Sequence, residues 1–213
     1  MTPLIQDHML VVPFLQEEII RRCQNGNFPD EPNAIANDLG LIALPGGKNI
    51  HVWLCHAADA VILDDFDQTI LITRLHNPGR GKRALPGGFL NKTPGGVELS
   101  RHAALRETME ETGISTEILA KADITQLGHR RHVRPFDIRQ AWNDLTGTPV
   151  RKNELFTVST LAFRVRLPGD LQDFALQAGD DATAIHIVPA RLVTLEELAV
   201  PDHLEMINAA LNV

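Results

Sequence analysis

The arrangement of apolar and polar positions along the chain predicts several β-strands around one central helix. Short runs of valine, isoleucine and leucine bounded by turn-forming residues are typical of buried or half-buried strands. Two pairs of such runs predict hairpins, namely Leu41 to Leu44 with Ile50 to Cys55, and Ala58 to Leu63 with Thr69 to Leu75. Two later runs predict single strands, the long Leu155 to Leu167 and the shorter Ala184 to Val188.

The helices are predicted from apolar spacing and from residues that begin or end helices. Ser100 is expected to cap the central helix, which runs to about Thr112 and ends before Gly113. Its predicted buried side consists of Ala104, Leu105, Thr108 and Met109. Three further helices are predicted, at Pro13 to Cys23, Leu195 to Leu198, and His203 to Leu211 with Asp202 as its cap.

Two regions carry a weaker pattern. Ile114 to Lys121 and Ile124 to His129 are predicted as strands. Pro135 to Asn153 is predicted as a long loop, with a helical turn around Ile138 to Leu145. Strands on both sides of a central helix, with a terminal helix packing back, predict an α+β sandwich.

Charge and cysteine content narrow the class of protein. The formal net charge of -7 argues against a broad surface that binds nucleic acid without regard to sequence. Cys23 and Cys55 lie far apart and form no C-x-x-C pair, so neither a disulfide framework nor a zinc site is predicted. No signal-peptide pattern is present, and no apolar run approaches the roughly 20 residues that span a bilayer. We therefore expect a cytoplasmic protein without a membrane partner.

Three carboxylates lie close together near the end of the central helix. Glu107, Glu110 and Glu111 are spaced at i, i+3 and i+4, which places them on one side of a helix of about 3.6 residues per turn. Like charges at this spacing repel each other, so helix stability alone does not favour the arrangement. A hard divalent cation bound by oxygen ligands is the natural positive partner.

The segment around these carboxylates resembles the Nudix box, G-x5-E-x7-R-E-U-x-E-E-x-G-U, in which U is a bulky apolar residue. Seven positions match the motif: Glu98, Arg106, Glu107, Glu110, Glu111, Gly113 and Ile114. Two positions depart from it. Nine residues instead of five separate Gly88 from Glu98, which indicates an insertion within Asn91 to Gly96, and Thr108 occupies a position that is usually apolar.

The Nudix resemblance implies a fold, a reaction and a metal site. The implied fold is an α/β/α sandwich with a mixed β-sheet, and the implied reaction cleaves nucleoside diphosphates linked to another group with Mg²⁺ or Mn²⁺ as cofactor. Glu107 and Glu111 are the implied main ligands, with Glu110, Glu98 and the Gly87 carbonyl as further ligands. Arg106 would orient the carboxylates through charge-assisted pairs.

A broader resemblance, over about residues 58 to 210, is to the Nudix portion of bifunctional nicotinamide mononucleotide adenylyltransferase/ADP-ribose pyrophosphatase proteins. Three motifs carry it: Asn77 to Phe89, Gly179-Asp180-Asp181-Ala182, and Pro201-Asp202-His203. They imply hydrolysis of ADP-ribose to AMP and ribose 5-phosphate. In this family the general base comes from the box or from a distant loop, and Asp180 and Asp181 are the loop candidates, although a two-acid turn is more often only a turn. The adenylyltransferase activity is not implied, because the sequence has no H-x-G-H motif.

Several expectations leave alternatives open. Arg83, Arg131, Arg134 and Phe136 are candidates for substrate contacts, with Trp142 as a second stacking aromatic, although a solvated face and core packing explain them equally well. NADH, a sugar nucleotide or a nucleoside triphosphate is an alternative substrate, and a non-catalytic sensor of NAD metabolites is an alternative function. We expect residues 1–57 to form an N-terminal helix and hairpin extension to a Nudix domain at 58–213. By analogy with ADP-ribose-cleaving relatives, a homodimer formed through Pro3 to Cys55 is also expected.

Overall fold

A computed structural model describes seven segments of the chain: residues 17–22, 29–44, 47–76, 79–129, 131–136, 153–179 and 181–213. Residues 17–22 are helical and are called α1, which confirms that part of the predicted N-terminal helix. The predicted loop interior, including Trp142 and the helical turn, lies outside the described residues, as does Asp180. No helix among the described segments is long and apolar enough to cross a membrane.

The other elements follow in chain order. The strands are β1 (Ala36–Ala43), β2 (Asn49–Leu63), β3 (Gln68–Arg74), β4 (Arg83–Ala84), β5 (Gly87–Phe89), β6 (Lys92–Thr93), β7 (Gly96–Val97), β8 (Asp123–Gln126), β9 (Arg131–Phe136), β10 (Glu154–Arg166) and β11 (Ala182–Pro189). The helices are α2 (Ser100–Thr112), α3 (Thr116–Leu119) and α4 (Asp202–Ala210), with short 3-10 turns at Leu171–Asp173, Ala190–Leu192 and Leu195–Glu197.

Within the described segments, one mixed sheet of nine strands organises the domain. Its central path is β11-β3-β2-β10-β8, and β1, β4, β5 and β9 pair along its sides. The strands β2 and β10 run parallel, whereas the other pairs are antiparallel. The predicted hairpin β1-β2 is confirmed. The predicted hairpin β2-β3 is confirmed only next to its turn, where Leu63 pairs with Thr69, because β5 and β4 pair with the two strands further along. Ile50 to Cys55 and Ala58 to Leu63 are not separate strands, however, because residues 56 and 57 continue the extended backbone of β2.

Apolar layers cover both faces of this sheet. Ala58, Ala60 and Ile62 of β2 belong to the core cluster that includes Ala103 and Ala104 of α2. The residues between them point the other way, because successive strand residues alternate between faces. Val61 and Leu63 accordingly pack in a second cluster with three residues of α4, namely Met206, Ile207 and Ala210. A helix on each face of a mixed sheet confirms the predicted α+β sandwich.

Three local predictions are wrong. The segment from Ile114 to Lys121 is not a strand but contains the helix α3, with Ser115 as its N-cap residue and Leu119 buried. Ser100 is the first residue of α2 rather than its cap, and the cap position is held by Leu99. Likewise, Pro201 and not Asp202 occupies the cap position of α4.

Candidate active site

A glycine pair and two carboxylates meet at the centre of the site. The strand β5 places Gly87 and Gly88 beside the last two turns of α2. The Gly87 N–H donates to Glu111 Oε2 at 3.0 Å. A Cβ on residue 88 would overlap the carboxylate of Glu107, with Glu107 Oε2 only 2.8 Å away. Gly88 therefore lets the strand backbone approach Glu107 more closely than a residue with a Cβ would permit, while the backbone of Gly87 binds Glu111.

Glu111 lies in an environment that disfavours its ionised form. The residue is only 4% exposed, and burial raises the pKa of its carboxyl to about 8. The neighbouring charges of Glu107 and Asp59 act in the same direction, while the Gly87 N–H and Arg74 lower the pKa. Burial is the larger influence, because ionised carboxylates lose hydration when they leave water. Glu111 thus requires a proton or a cation as its partner.

Arg106 holds the remaining carboxylates in place. Its guanidinium donates to Glu98 at 3.0 and 3.1 Å, to Glu107 at 2.6 Å and to Glu110 at 2.8 Å. It also donates to the Phe89 carbonyl at 2.9 Å. Burial acts to lower the pKa of Arg106, but its hydrogen bonds to Glu98 and the charge of Glu107 raise the pKa overall. The planar fork of arginine therefore orders three carboxylates on one side of the helix.

The insertion within the box forms a small hairpin. The strands β6 and β7 pair with each other and with no other described strand. At the base of the hairpin, the Glu98 N–H donates to the Asn91 carbonyl at 2.9 Å, and the Asn91 N–H donates to Glu98 Oε2 at 3.1 Å. The extra residues thus form a closed hairpin, and Glu98 still contacts Arg106 in spite of the longer spacing.

Thr108, the other departure from the box, is buried inside the domain. Its hydroxyl donates to the Ala104 carbonyl one turn earlier at 2.8 Å. A buried hydroxyl with this partner does not carry the cost of an unsatisfied polar group. Threonine can therefore fill a position at which the motif usually has an apolar residue.

The donor set fits a divalent cation that completes its coordination from elsewhere. No three His, Cys, Asp or Glu side chains within the described segments are grouped so that they could hold a metal ion by themselves. Mg²⁺, however, usually takes one or two carboxylates and fills its other positions with water and substrate phosphates. Glu107 and Glu111 supply two carboxylates beside the same glycine pair. Their environment carries the negative charge that such an ion would neutralise.

Three further residues, none of which was predicted as a site residue, lie beside this centre, although His203 belongs to one of the three motifs. Asp59 is a buried acid on β2 whose Oδ2 accepts the Thr160 hydroxyl at 2.7 Å. His203 is a buried histidine on α4 whose Nδ1 accepts the Leu85 N–H at 3.0 Å. Arg74, at the end of β3, lies close enough to Glu111 for its charge to lower the pKa of that carboxyl. An aspartate within the apolar run of β2 was the one signal that could have identified Asp59.

Two of the predicted base and substrate residues, Arg83 and Asp181, form ion pairs outside the carboxylate cluster. Arg83 forms an ion pair with Glu197 at 2.8 Å. The Asp181 side chain is 69% exposed and lies 3.4 Å from His76 Nε2. The backbone of β9 carries Arg131, Arg134 and Phe136, and their side chains fall outside the described part of the structure, as does Asp180. Among the predicted residues, the structure brings Gly87, Glu98, Arg106, Glu107, Glu110 and Glu111 together.

Comparison with known proteins places the chain in a family. The NUDIX domain model matches residues 54–210, and no curated protein matches the sequence. The NUDIX domain of Shewanella oneidensis NrtR, solved with ADP-ribose, is 22% identical with a TM-score of 0.50, covering 74% of this chain and 86% of that one. The E. coli dihydroneopterin triphosphate pyrophosphohydrolase is 15% identical with a TM-score of 0.52, covering 74% and 96%.

A bifunctional nicotinamide mononucleotide adenylyltransferase/ADP-ribose pyrophosphatase from Francisella tularensis is 24% identical with a TM-score of 0.41. The match covers 74% of this chain but only 40% of that one. At these identities the solved structures show the fold alone. The family model covers more than half of the chain and coincides with the carboxylate helix and its glycine pair, so the chain belongs to the Nudix family.

Proposed function

We propose that this Nudix protein hydrolyses the pyrophosphate bond of a nucleoside diphosphate derivative, with ADP-ribose as its substrate. The observation that carries the hydrolytic assignment is the placement of Glu107 and Glu111 against Gly87 and Gly88, with the other carboxylates ordered by Arg106. A degraded box, as expected of a non-catalytic sensor, would lack these acids. The retained carboxylates favour an enzyme.

In the proposed reaction, water attacks one phosphorus atom of ADP-ribose and the bridging P–O bond breaks, giving AMP and ribose 5-phosphate. Glu107, Glu111, Glu110, Glu98 and the Gly87 carbonyl are the proposed ligands of Mg²⁺ or Mn²⁺. When bound, such an ion supplies positive charge against the pyrophosphate and makes water more acidic. Arg106 keeps the acidic side chains oriented, so their arrangement does not need to be rebuilt for each turnover.

Asp180 and Asp181 are the proposed general base. Gly179, which precedes them, packs against α2, because a Cβ on Gly179 would lie 2.7 Å from the Glu110 carbonyl oxygen. Gly179 thus lies beside the last turn of the carboxylate helix, and an acid that follows it in sequence is a candidate to reach a bound substrate. Replacing each aspartate by asparagine tests the assignment. We expect one of the two variants to lose turnover, and wild-type rates in both would exclude them as the base.

Three separate motifs support ADP-ribose as the substrate. The segments 77–89, 179–182 and 201–203 are far apart in sequence, yet each contacts the site. The first contains Gly87 and Gly88, the second packs on α2 through Gly179, and the third supplies His203 to the Leu85 N–H. One fold neighbour, the S. oneidensis NrtR domain, was solved with ADP-ribose. Arg83, Arg131, Arg134 and Phe136 remain the proposed contacts to phosphate and base.

A substrate panel tests both parts of the assignment. The protein is incubated with Mg²⁺ and, separately, ADP-ribose, NADH, a sugar nucleotide or a nucleoside triphosphate, and the products are identified by chromatography. We expect AMP from ADP-ribose at the highest rate, and loss of activity after chelation of the metal. A preference for triphosphates would refute the ADP-ribose assignment, and tight binding of ADP-ribose without turnover would support the sensor instead.

Two matched substitutions locate the chemistry. Glu107→Gln and Glu111→Gln keep the side-chain size but remove the charge, so both should abolish most of the turnover. Glu117→Gln provides the control, because Glu117 is an exposed acid on the neighbouring helix α3. Turnover that survives in both box variants would show that these carboxylates are not the catalytic metal site.

A homodimer is the proposed assembly. Among the described strands, β1 pairs only with β2. On its other side, Arg22 of α1 donates to the Leu39 and Leu41 carbonyls, so α1 and the rest of this edge form the candidate surface for a second copy. An unpaired strand edge is a common place for another chain to bind. Light scattering with size-exclusion chromatography should give twice the mass of one chain, and a monomeric mass would refute this part.

A further inference from the structure

A buried polar pair lies behind the glycine segment, on the side of the sheet that α4 covers. His203 Nδ1 accepts the Leu85 N–H at 3.0 Å, so this nitrogen carries no proton. The proton of the neutral ring is therefore on Nε2. Nε2 lies 3.9 Å from Asp59 Oδ1, which is longer than a direct hydrogen bond but close enough for an attraction. Both side chains are buried, at 4% exposure for His203 and 8% for Asp59.

Asp59 is fixed on its other side and faces Gly87. Its Oδ2 accepts the Thr160 hydroxyl, and its backbone pairs in register with Gly87 across β2 and β5. A Cβ on residue 87 would overlap Asp59 Oδ1. The carboxylate of Asp59 therefore fills the space beside Gly87, on whose N–H Glu111 depends. A continuous set of contacts thus joins α4 to the carboxylate helix.

Packing alone does not explain this pair. The rest of α4 docks on the sheet through apolar residues, including Met206, Ile207 and Ala210. A buried histidine and a buried aspartate each lose hydration, which costs folding free energy unless hydrogen bonds compensate for it. Their hydrogen bonds are therefore expected to have a task beyond packing. The task visible in the structure is to accept the backbone N–H at Leu85 and to border the backbone at Gly87.

We infer that His203 and Asp59 are positioning residues, which fix the distance between the Leu85 to Gly88 segment and the carboxylates of Glu107 and Glu111. They do not contact the reacting atoms. Their effect passes through Leu85 and Gly87 to the Gly87 N–H bond with Glu111, and from there to the carboxylate geometry. The consequence for turnover rests on the proposed function, whereas the positioning itself does not.

Three substitutions of His203 separate the roles of its two nitrogens. His203→Leu removes both. His203→Asn keeps an oxygen near the position of Nδ1 and can still accept the Leu85 N–H, while His203→Gln places its amide nearer to Nε2. The matched control is Ile207→Ala, which opens a cavity on the same helix without removing a hydrogen bond.

The first measurement follows the amide resonances of Leu85 and Gly87 and the binding of Mn²⁺, the latter from the free-ion EPR signal. Residues that orient metal ligands typically change metal affinity by about 10- to 100-fold when removed, so we expect a loss in this range for His203→Leu. The Leu85 and Gly87 amide shifts should move in His203→Leu. His203→Asn should restore most of the affinity and His203→Gln little of it. Ile207→Ala should lower the melting temperature and leave affinity and both shifts unchanged.

Kinetics supply the second measurement. We expect kcat at fixed Mg²⁺ to fall in His203→Leu by a factor similar to that of the affinity, with a KM for ADP-ribose that changes much less. Unchanged amide shifts and Mn²⁺ affinity in a folded His203→Leu variant would overturn the inference, as would equal behaviour of the Asn, Gln and Leu variants. If wild type shows neither Mn²⁺ binding nor hydrolysis, the proposed function fails, while the amide shifts still decide the positioning role.

Discussion

Replacing Gly88 by alanine should change the activity of this protein while leaving its stability almost unchanged. The backbone φ of Gly88 lies outside the left-handed region, so alanine fits the backbone, but its Cβ would displace the carboxylate of Glu107. Glu107 is a flexible side chain and can move away. Its displacement removes one proposed metal ligand and its 2.6 Å ion pair with Arg106.

The magnitude follows from these contacts. Losing a partly exposed ion pair costs about 0.2–1 kcal/mol, and replacing glycine by alanine at a compatible position returns about 0.4–1 kcal/mol through the unfolded state. The free energy of unfolding of Gly88→Ala should therefore stay within about 1 kcal/mol of wild type. Turnover should fall by about 10- to 100-fold or more, because even residues that only support a metal ligand have effects of this size.

Gly87→Ala and Gly95→Ala are the matched comparisons. A Cβ on residue 87 would lie 2.7 Å from the Ala58 carbonyl oxygen and 2.9 Å from Asp59 Cα, and backbone atoms cannot move aside without parting β5 from β2. Such overpacking costs about 1–3 kcal/mol. A Cβ on Gly95, in the inserted hairpin, would contact no other residue within 4 Å, so alanine there should change neither stability nor activity.

The assays are urea unfolding and a Mg²⁺ titration of ADP-ribose hydrolysis for each variant. The expected pattern is activity loss with stability retained for Gly88→Ala, loss of both for Gly87→Ala, and neither for Gly95→Ala. Full turnover in Gly88→Ala at limiting Mg²⁺ would refute the placement of Glu107 in the metal site. A loss of stability in Gly88→Ala equal to that in Gly87→Ala would refute the reasoning that Glu107 can move aside.

Three further outcomes are expected. Glu31→Ala should lower the free energy of unfolding by about 1 kcal/mol in urea, because Glu31 accepts the Ser100 N–H at 2.8 Å and so caps α2, whose own cap residue has no side-chain bond. Arg106→Lys should lower turnover by about 10- to 100-fold, since an ammonium cannot hold Glu98, Glu107 and Glu110 together, whereas Arg101→Lys on the exposed side of α2 should not. The metal-free protein should become less stable as pH rises from about 4.5 to about 8, because native Glu111 keeps its proton in that window while the unfolded chain has released it. Glu111→Gln should flatten this part of the pH profile of thermal stability, and a slope retained in that variant would show that another group causes it.

Much of the fold could be predicted because the decisive signals are local. The apolar runs that form β2, β3 and β10 contain few polar interruptions, and α2 has a glycine at its end in the expected left-handed conformation. The failure at α3 has an equally local cause. Residues 114–121 mix apolar and polar positions over a stretch too short to distinguish the period of a helix from that of a strand. The helix has only four residues, which is less than two turns.

Only the part of the site that lies on one segment of the chain could be predicted. The spacing of Glu107, Glu110, Glu111 and Arg106 is visible in the sequence because all four lie on one helix. His203 and Asp59 are brought together by the docking of α4 on the sheet, and no local pattern reports such a contact. The closed hairpin of the insertion was also beyond prediction, because its strands have only two residues each.

The charge arrangement of the site indicates how its acidic side chains are stabilised before a metal ion binds. Arg106 pairs with Glu98, Glu107 and Glu110, so one cation orders three anions at the surface of α2. Glu111 has no place in that group, because it is buried beneath the glycine pair, and a proton satisfies it instead, as its raised pKa indicates. A divalent ion beside Glu107 and Glu111 would have to replace that proton, since only the ionised carboxylate is a ligand. Proton and metal therefore compete for one buried oxygen site, and metal affinity should rise with pH up to about 8 for the same reason that the stability of the metal-free protein falls.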